Sequence, residues 1–262
     1  MEVTQLYIYP IKSLGGIALQ STKVFMRGLQ YDRRYMLVDE QGVFLTQRTL
    51  HKMALFKLNL NPNGFTIIYK NDTLTIPFFI TGNTKKVTVW DDSVDAIVAN
   101  DDFNNWFSKH LEMSVKLVFM PETGQRAVNT KYAKNNEQFS FADGYPVLMI
   151  SEASLDFLNS KLKTKIGYDR FRPNIVVTAN APHAEDEFEP FGIATAKFKI
   201  AKPCGRCVVT TINQNTLQTS KEPLATLAKY RRVDDVVNFG INLICTNPGE
   251  IKIGDKLIFK IG

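Results

Sequence analysis

Three cysteines in 262 residues are too few for a disulfide framework. The count fits a reducing, cytosolic compartment. No run approaches ~18 consecutive apolar residues, so no membrane span is readable. The opening "MEVTQLYIYPIKS" has no basic stretch followed by a long apolar one, which argues against a secretory signal. Histidine is scarce: His51, His110 and His183 are scattered, and no H-x₃₋₅-H pair occurs. Internal repeats and low-complexity tracts are missing as well. The hydrophobic fraction, 44%, is enough for one large domain or two modest ones, each with its own core. The net charge of +6 favours an anionic partner. Its basic residues are scattered, however, and no base-stacking motif accompanies them, which disfavours nucleic acid.

The first hundred residues read as short strands. "VTQLYIYPI", "RYMLVDEQGVFLTQ", "FKLNLNPNGFTIIYKNDTLTI" and "KVTVWDDSVDAIV" are rich in β-branched and aromatic residues and are punctuated by the turns "DEQG", "NPNG", "KND" and "WDD". Such spacing suggests a small antiparallel barrel or sandwich. Helices are expected at "DDFNNWFSKHLE" (capped by Asp101 or Asp102), at "SEASLDFLNSKL" (capped by Ser151) and at "SKEPLATLAKYR" (capped by Ser220). More strands follow at "RPNIVVTA", "TAKFKIAK", "CVVTTINQ", "GINLICTN" and "IKIGDKLIFKI". The fold class is therefore mostly β (α+β). A long polar stretch, residues 120–146, is a functional loop or a linker. The division falls near 115, giving 1–115 and 116–262.

The stretch "AKPCGRCVVTT" holds Cys204 and Cys207. As a zinc site it is half complete, because no second ligand pair exists. A thioredoxin-like dithiol would open a helix, and "VVTTI" reads as a strand. Two buried thiols in a turn remain possible chemistry. Pro203 and Gly205 instead shape a surface turn, and Arg206 supplies a fixed charge that favours a thiolate. A soft metal ligand is the better choice.

Three further stretches join basic residues to turns. "YPIKSLGG" offers Lys12 and Ser13 as donors before paired glycines. "YDRRYMLVD" carries Arg33 and Arg34, of which only one can face a shared site. "YDRFRPNIVV" carries Arg170 and Arg172 on one face, followed by Asn174, and "LTQRTL" adds Arg48.

With "YPIKS", "DRRYMLVDEQG", "SEASLDFLN", "FRPNIVV", "AED", "PCGRCVVTT", "EPLATLAKYR", "FGINL" and "GEIKIGD" in this order, the chain resembles the MOSC proteins, the molybdenum cofactor sulfurase C-terminal family. Within that family it is most similar to the amidoxime-reducing members, which carry an N-terminal β-barrel before a MOSC barrel bearing a few helices. The resemblance implies molybdenum bound to molybdopterin, with Cys207 as catalytic thiolate and metal ligand. It implies pterin and phosphate contacts from Lys12, Ser13, Arg33, Arg172, Asn174, Gly205 and Arg206, and a pocket wall from Arg48, Asp143 and Ser151. It implies reduction of small N-hydroxylated compounds, amidoximes and hydroxylamines, to amidines and amines. No C-x₄-C-x₂-C pattern is present, so electrons are expected from a separate ferredoxin-, flavodoxin- or reductase-type protein. A monomeric, cytoplasmic bacterial protein is expected, since a mitochondrial targeting and anchoring region is missing. The other reading is a molybdopterin-binding or sulfur-carrier module that uses a Cys207 persulfide and reduces nothing. "LHKMALF" after Arg48 departs from the family's polar pattern and leaves substrate range open.

Overall fold

The computed structural model describes residues 1–133 and 135–259. The last two residues of the expected strand "IKIGDKLIFKI" lie outside that range. The fold is mostly β, as expected, with three α-helices among the described residues.

The largest sheet takes strands from both ends of the chain. Its order is Leu257–Phe259, Phe191–Ile193, Ala196–Gly205, Val236–Asn247, Val147–Ser151, Ile175–Val177, Val3–Ile8 and Ile17–Leu19. Neighbours are antiparallel except Val147–Ser151 beside Ile175–Val177, which run parallel with a helix in their crossover. The strand Val3–Ile8 is thus a full member of the sheet formed mainly by the C-terminal half. The ends are tied further: the Val3 amide donates to the Asp255 carbonyl at 2.8 Å, and Gly249–Lys252 pairs with Ser21–Phe25.

The rest of the N-terminal region is barrel-like. Lys57–Asn61, Gly64–Tyr69 and Asp72–Pro77 form a meander, and Thr84–Val89 with Asp92–Val98 forms a hairpin. Lys116–Phe119 joins Tyr35–Val38 to that hairpin sheet. One continuous apolar core, with Phe56, Phe65, Phe107, Phe191 and Phe198 fully buried, runs between the N-terminal meander and the large sheet.

The helices follow their apolar spacing, while their caps differ in two cases. The first, Asp101–Leu111, is capped by Asn100, whose side chain accepts from the Phe103 amide at 3.0 Å. Asp101 and Asp102 fall in the first turn, where their charge suits the helix dipole. The second, Glu152–Lys161, begins at Ser151 as its sequence predicts. The third, Leu224–Arg231, starts late: Ser220 accepts from the Glu222 amide instead, and the Glu222 carboxylate caps the Thr226 amide at 3.0 Å.

Two expectations are corrected here. "VVTT" is a turn of 3₁₀ helix, Val208–Thr211, and not a strand. The hydroxyls of Thr210 and Thr211 donate back to the carbonyls of Cys207 and Val208, which offsets the β preference of the side chains. Ser151 is not in a pocket wall. It ends its strand fully buried, on the opposite side from Leu148, and its hydroxyl donates to the Glu185 carboxylate at 2.7 Å while capping its helix. Glu185, with no exposed surface, also accepts from the Ser151 amide and the Ser154 hydroxyl. Ser151→Ala should therefore lower stability by about 1 to 2 kcal/mol. The denaturation midpoint reads that loss, and the anion affinity of the cavity described next should stay at the wild-type value.

Candidate functional site

Three turns converge on one cavity of about 230 Å³. The turn after Val3–Ile8 brings Lys12 and Ser13, with Arg33 beside it. The turn before Ile175–Val177 brings Arg170, Arg172 and Asn174. The end of Ala196–Gly205 brings Cys204, Gly205, Arg206 and Cys207. Arg48 and Asp143 complete the lining from two loops. Ten of the eleven sequence-predicted residues are thus together, and Ser151 alone stands apart.

Electrostatics dominate the site. Lys12, Arg33, Arg48, Arg170, Arg172 and Arg206 line it against a single lining carboxylate, Asp143. Lys12 is 4% exposed; its Nζ donates to the Phe141 carbonyl and to Asp143. Burial draws the Lys12 pKa down to about 8, with Arg126 and Arg48 adding to the fall and Asp143 opposing it. Asp143 bridges Lys12 and Arg48, the latter at 3.0 Å. Its side chain is exposed on one side; the surrounding protein works against its charge, and the two cations outweigh that, holding the carboxyl far below the usual range.

Arg33 and Arg172 lie over the ring of Tyr9, at 4.5 and 4.1 Å from its centroid. Asp32 fixes this sandwich, accepting from the Tyr9 amide at 2.8 Å and from Arg33 at 2.6 Å. Arg33 also donates to Asn174 Oδ1 at 3.2 Å. Asn174 in turn receives the Leu148 amide and donates to the Tyr7 carbonyl, so its amide knits strands together. Arg34, next to Arg33, pairs instead with Glu122 at 2.7 Å; both precede the strand Tyr35–Val38, and the left-handed turn at Arg33 (φ +49°), not strand alternation, sets their directions.

The cysteine turn works differently from its sequence expectation. Arg206 donates to Cys204 Sγ at 2.9 Å and to the Phe171 carbonyl. The cation beside Cys207 is Arg48, whose pKa rises because Asp143 and Cys207 together overcome its burial. The cause is backbone direction: Cys207 is extended, with φ −121° and ψ −179°, so adjacent side chains diverge. Both thiols are half-buried and free. Cys245 is fully buried away from the cavity, and burial pushes its thiol up to about 11.

The paired glycines serve packing more than approach to an anion. A Cβ on Gly15 would stand 2.7 Å from the Phe56 carbonyl oxygen, and one on Gly16 would stand 2.5 Å from the Tyr9 ring. Gly205 lines the cavity, but what forbids a side chain there is Val236, 2.7 Å from a built Cβ. Sequence reasoning missed Gln47 and Asn242, which also line the cavity, and Arg126, which is buried and holds the Ser140 and Ala142 carbonyls just before Asp143. Their signal is long-range and has no local pattern. Two lining donors are buried with no partner: Arg172 Nη2 and Arg206 Nε. Orphaned guanidinium donors in a cationic cavity fit an anionic ligand.

The MOSC N-terminal beta barrel domain matches residues 1–114, and the MOSC domain matches residues 136–258. The chain belongs to the MOSC family, in the form that carries the N-terminal barrel. It is 32% identical to mitochondrial amidoxime-reducing component 1 of Mus musculus, covering 97% of this chain and 81% of that one. The Homo sapiens protein of that name is 30% identical over 97% of this chain and 82% of its own length. A molybdenum cofactor sulfurase from Oryza sativa is 29% identical over 93% of this chain, which corresponds to 32% of that larger protein. These relatives tie the chain to molybdenum cofactor biochemistry and suggest an oxidoreductase. No described helix is long and apolar enough to cross a membrane.

The depressed Lys12 pKa gives a signed prediction. Above pH 8 the folded lysine loses its charge, so affinity for sulfate, whose own charge is constant there, should fall as pH rises from 7 to 9.5. Stability moves the other way. Between 8 and 10.5 the unfolded chain holds the proton more tightly, so the cost of burying Lys12 is relieved as pH rises through that window. Calorimetric titration of sulfate should show the fall, and Lys12→Gln should flatten it.

Proposed function

We propose that the cavity holds molybdenum bound to molybdopterin and that the protein reduces N-hydroxylated compounds to amidines or amines. The observation that carries the reading is a small cavity in which the half-buried thiols of Cys204 and Cys207 share the lining with six cations and a single carboxylate. Among the described residues no three His, Cys, Asp or Glu side chains gather to hold an ion. A metal here would take one protein thiolate, from Cys207, and its other ligands from the pterin and solvent. Lys12, Ser13, Arg33, Arg172, Asn174, Gly205 and Arg206 would surround the pterin and its phosphate. Arg172 Nη2 and Arg206 Nε supply the unused donors. Bound there, the metal would supply two-electron chemistry at an N–O bond.

The chain's own residues would set the conditions for it. Arg48 would set a fixed positive charge beside Cys207. Asp143, ionised throughout the working range, would orient Lys12 and Arg48. Lys12 Nζ would carry a proton at neutral pH and release it near pH 8. Conversion of an amidoxime to an amidine and water takes two electrons and two protons. A separate ferredoxin-, flavodoxin- or reductase-type protein would bring the electrons, in keeping with the word "component" in the relatives' names. Free cysteines fit a reducing, cytoplasmic location in a bacterium.

A second reading, a sulfur carrier with a persulfide on Cys207, is favoured by the similarity to the rice sulfurase. Measuring molybdenum and pterin in the purified protein, with benzamidoxime reduction by an artificial donor, separates the two. The reductase reading expects near-stoichiometric metal and turnover, both lost in Cys207→Ser. Cys204→Ser should keep the metal and lose activity only in part, because Cys204 lines the cavity with its Sγ already taken up by Arg206. Metal-free protein with labile sulfane sulfur would point to the carrier.

A further inference from the structure

Trp90 is in an unusual place for a tryptophan. It is the first residue of the two-residue loop that joins Thr84–Val89 to Asp92–Val98. Its φ is +55°, in the left-handed region, where a tight hairpin ordinarily uses Gly, Asn or Asp. The bulky side chain is also 40% exposed, so burial does not repay the backbone strain.

What the strained turn achieves is placement. The indole Nε1 donates to Asp143 Oδ1 at 3.2 Å. The Arg48 guanidinium lies over the indole at 4.6 Å. Both partners line the cavity, and Arg48 is the cation beside Cys207. The Phe44 ring abuts the indole at 4.9 Å, and Lys12 Nζ lies 5.5 Å from the Phe44 centroid. Trp90, exposed, and Phe44, half-buried against the core of the hairpin sheet, therefore stand at the cavity rim, one guanidinium away from the thiol. They form a patch of apolar surface beside a lining that is otherwise largely charged.

We propose that Trp90 and Phe44 form an aromatic subsite that takes the flat, apolar portion of the substrate while its N–O group enters the charged cavity. The proposal rests on the reductase reading above. It gives Trp90 a role in specificity: planar aryl compounds gain stacking surface, and small compounds do not. The polar contacts of the indole, to Asp143 and Arg48, fix its orientation and keep one edge toward the cavity.

The test compares benzamidoxime with hydroxylamine on the cofactor-loaded enzyme. In Trp90→Ala the ratio of kcat/KM for benzamidoxime to that for hydroxylamine should fall about five- to tenfold, mostly through KM. Trp90→Phe should restore most of the ratio. Trp90→Gly, which suits the left-handed turn, should reproduce the alanine result in a chain free of the backbone strain. An equal loss on both substrates would overturn the subsite and leave Trp90 as a support for Arg48. A second readout does not depend on turnover. Benzamide, planar and without an N–O bond, should produce a saturable change in tryptophan emission that Trp90→Phe abolishes. If the wild type reduces neither substrate, the reductase reading fails, and the benzamide titration still decides the subsite. No saturable change would overturn it.

Discussion

Positive charge buried at one point is the constraint from which the rest of the site follows. A buried ion costs several kcal/mol unless paired, and this protein collects six cations around a space of about 230 Å³. Asp143 and, behind the lining, Asp32 answer part of that charge. The Tyr9 ring spreads two guanidinium groups over its faces, and main-chain carbonyls of Phe141, Thr210 and Phe171 take further donors. The remainder is unanswered, and two guanidinium nitrogens have no partner. A protein in this state gains stability from an anion and keeps a strong preference for one.

Much of this was legible in the sequence, for definite reasons. Helix faces, most strands and the clustering of Lys12, Arg33, Arg172 and Cys207 rest on short patterns or on a family resemblance carried by short motifs. Arg33 and Arg34 do go to different partners, but from a left-handed turn before the strand and not from the alternation that the sequence suggests. The failures have two origins, partners distant in sequence and a local bond that overrides propensity. Arg206 was matched to Cys207 because the two are neighbours in sequence, whereas the extended backbone sends them apart and a loop 159 positions away supplies Arg48. Ser151 has a family motif around it, yet its hydroxyl is consumed by Glu185, a partner that no local pattern announces. "VVTT" has strand propensity, and its threonine hydroxyls override it by bonding to the chain behind them.

Trp90 shows a different limit. Read as a sequence, "WDD" is a turn, and the structure agrees. Only the backbone angle reveals that the turn holds a residue it does not favour. Local rules are broken most informatively where a side chain has a task elsewhere, since selection for stability alone would place glycine or asparagine there.

The strand Val3–Ile8 sits between Ile175–Val177 and Ile17–Leu19, and the Leu257 amide closes onto the Met1 carbonyl at 3.1 Å. This has a bearing on the order of events during synthesis. Lys12, Arg33 and Arg48 are made together with the neighbour Ile17–Leu19, well before the other neighbour, Ile175–Val177, and the cysteine turn. A nascent chain therefore carries Lys12, Arg33 and Arg48 before Arg170, Arg172, Arg206 and the two thiols of the lining exist. The cavity is whole only once the cysteine turn has been made, so an anion that needs the full lining binds only after that point.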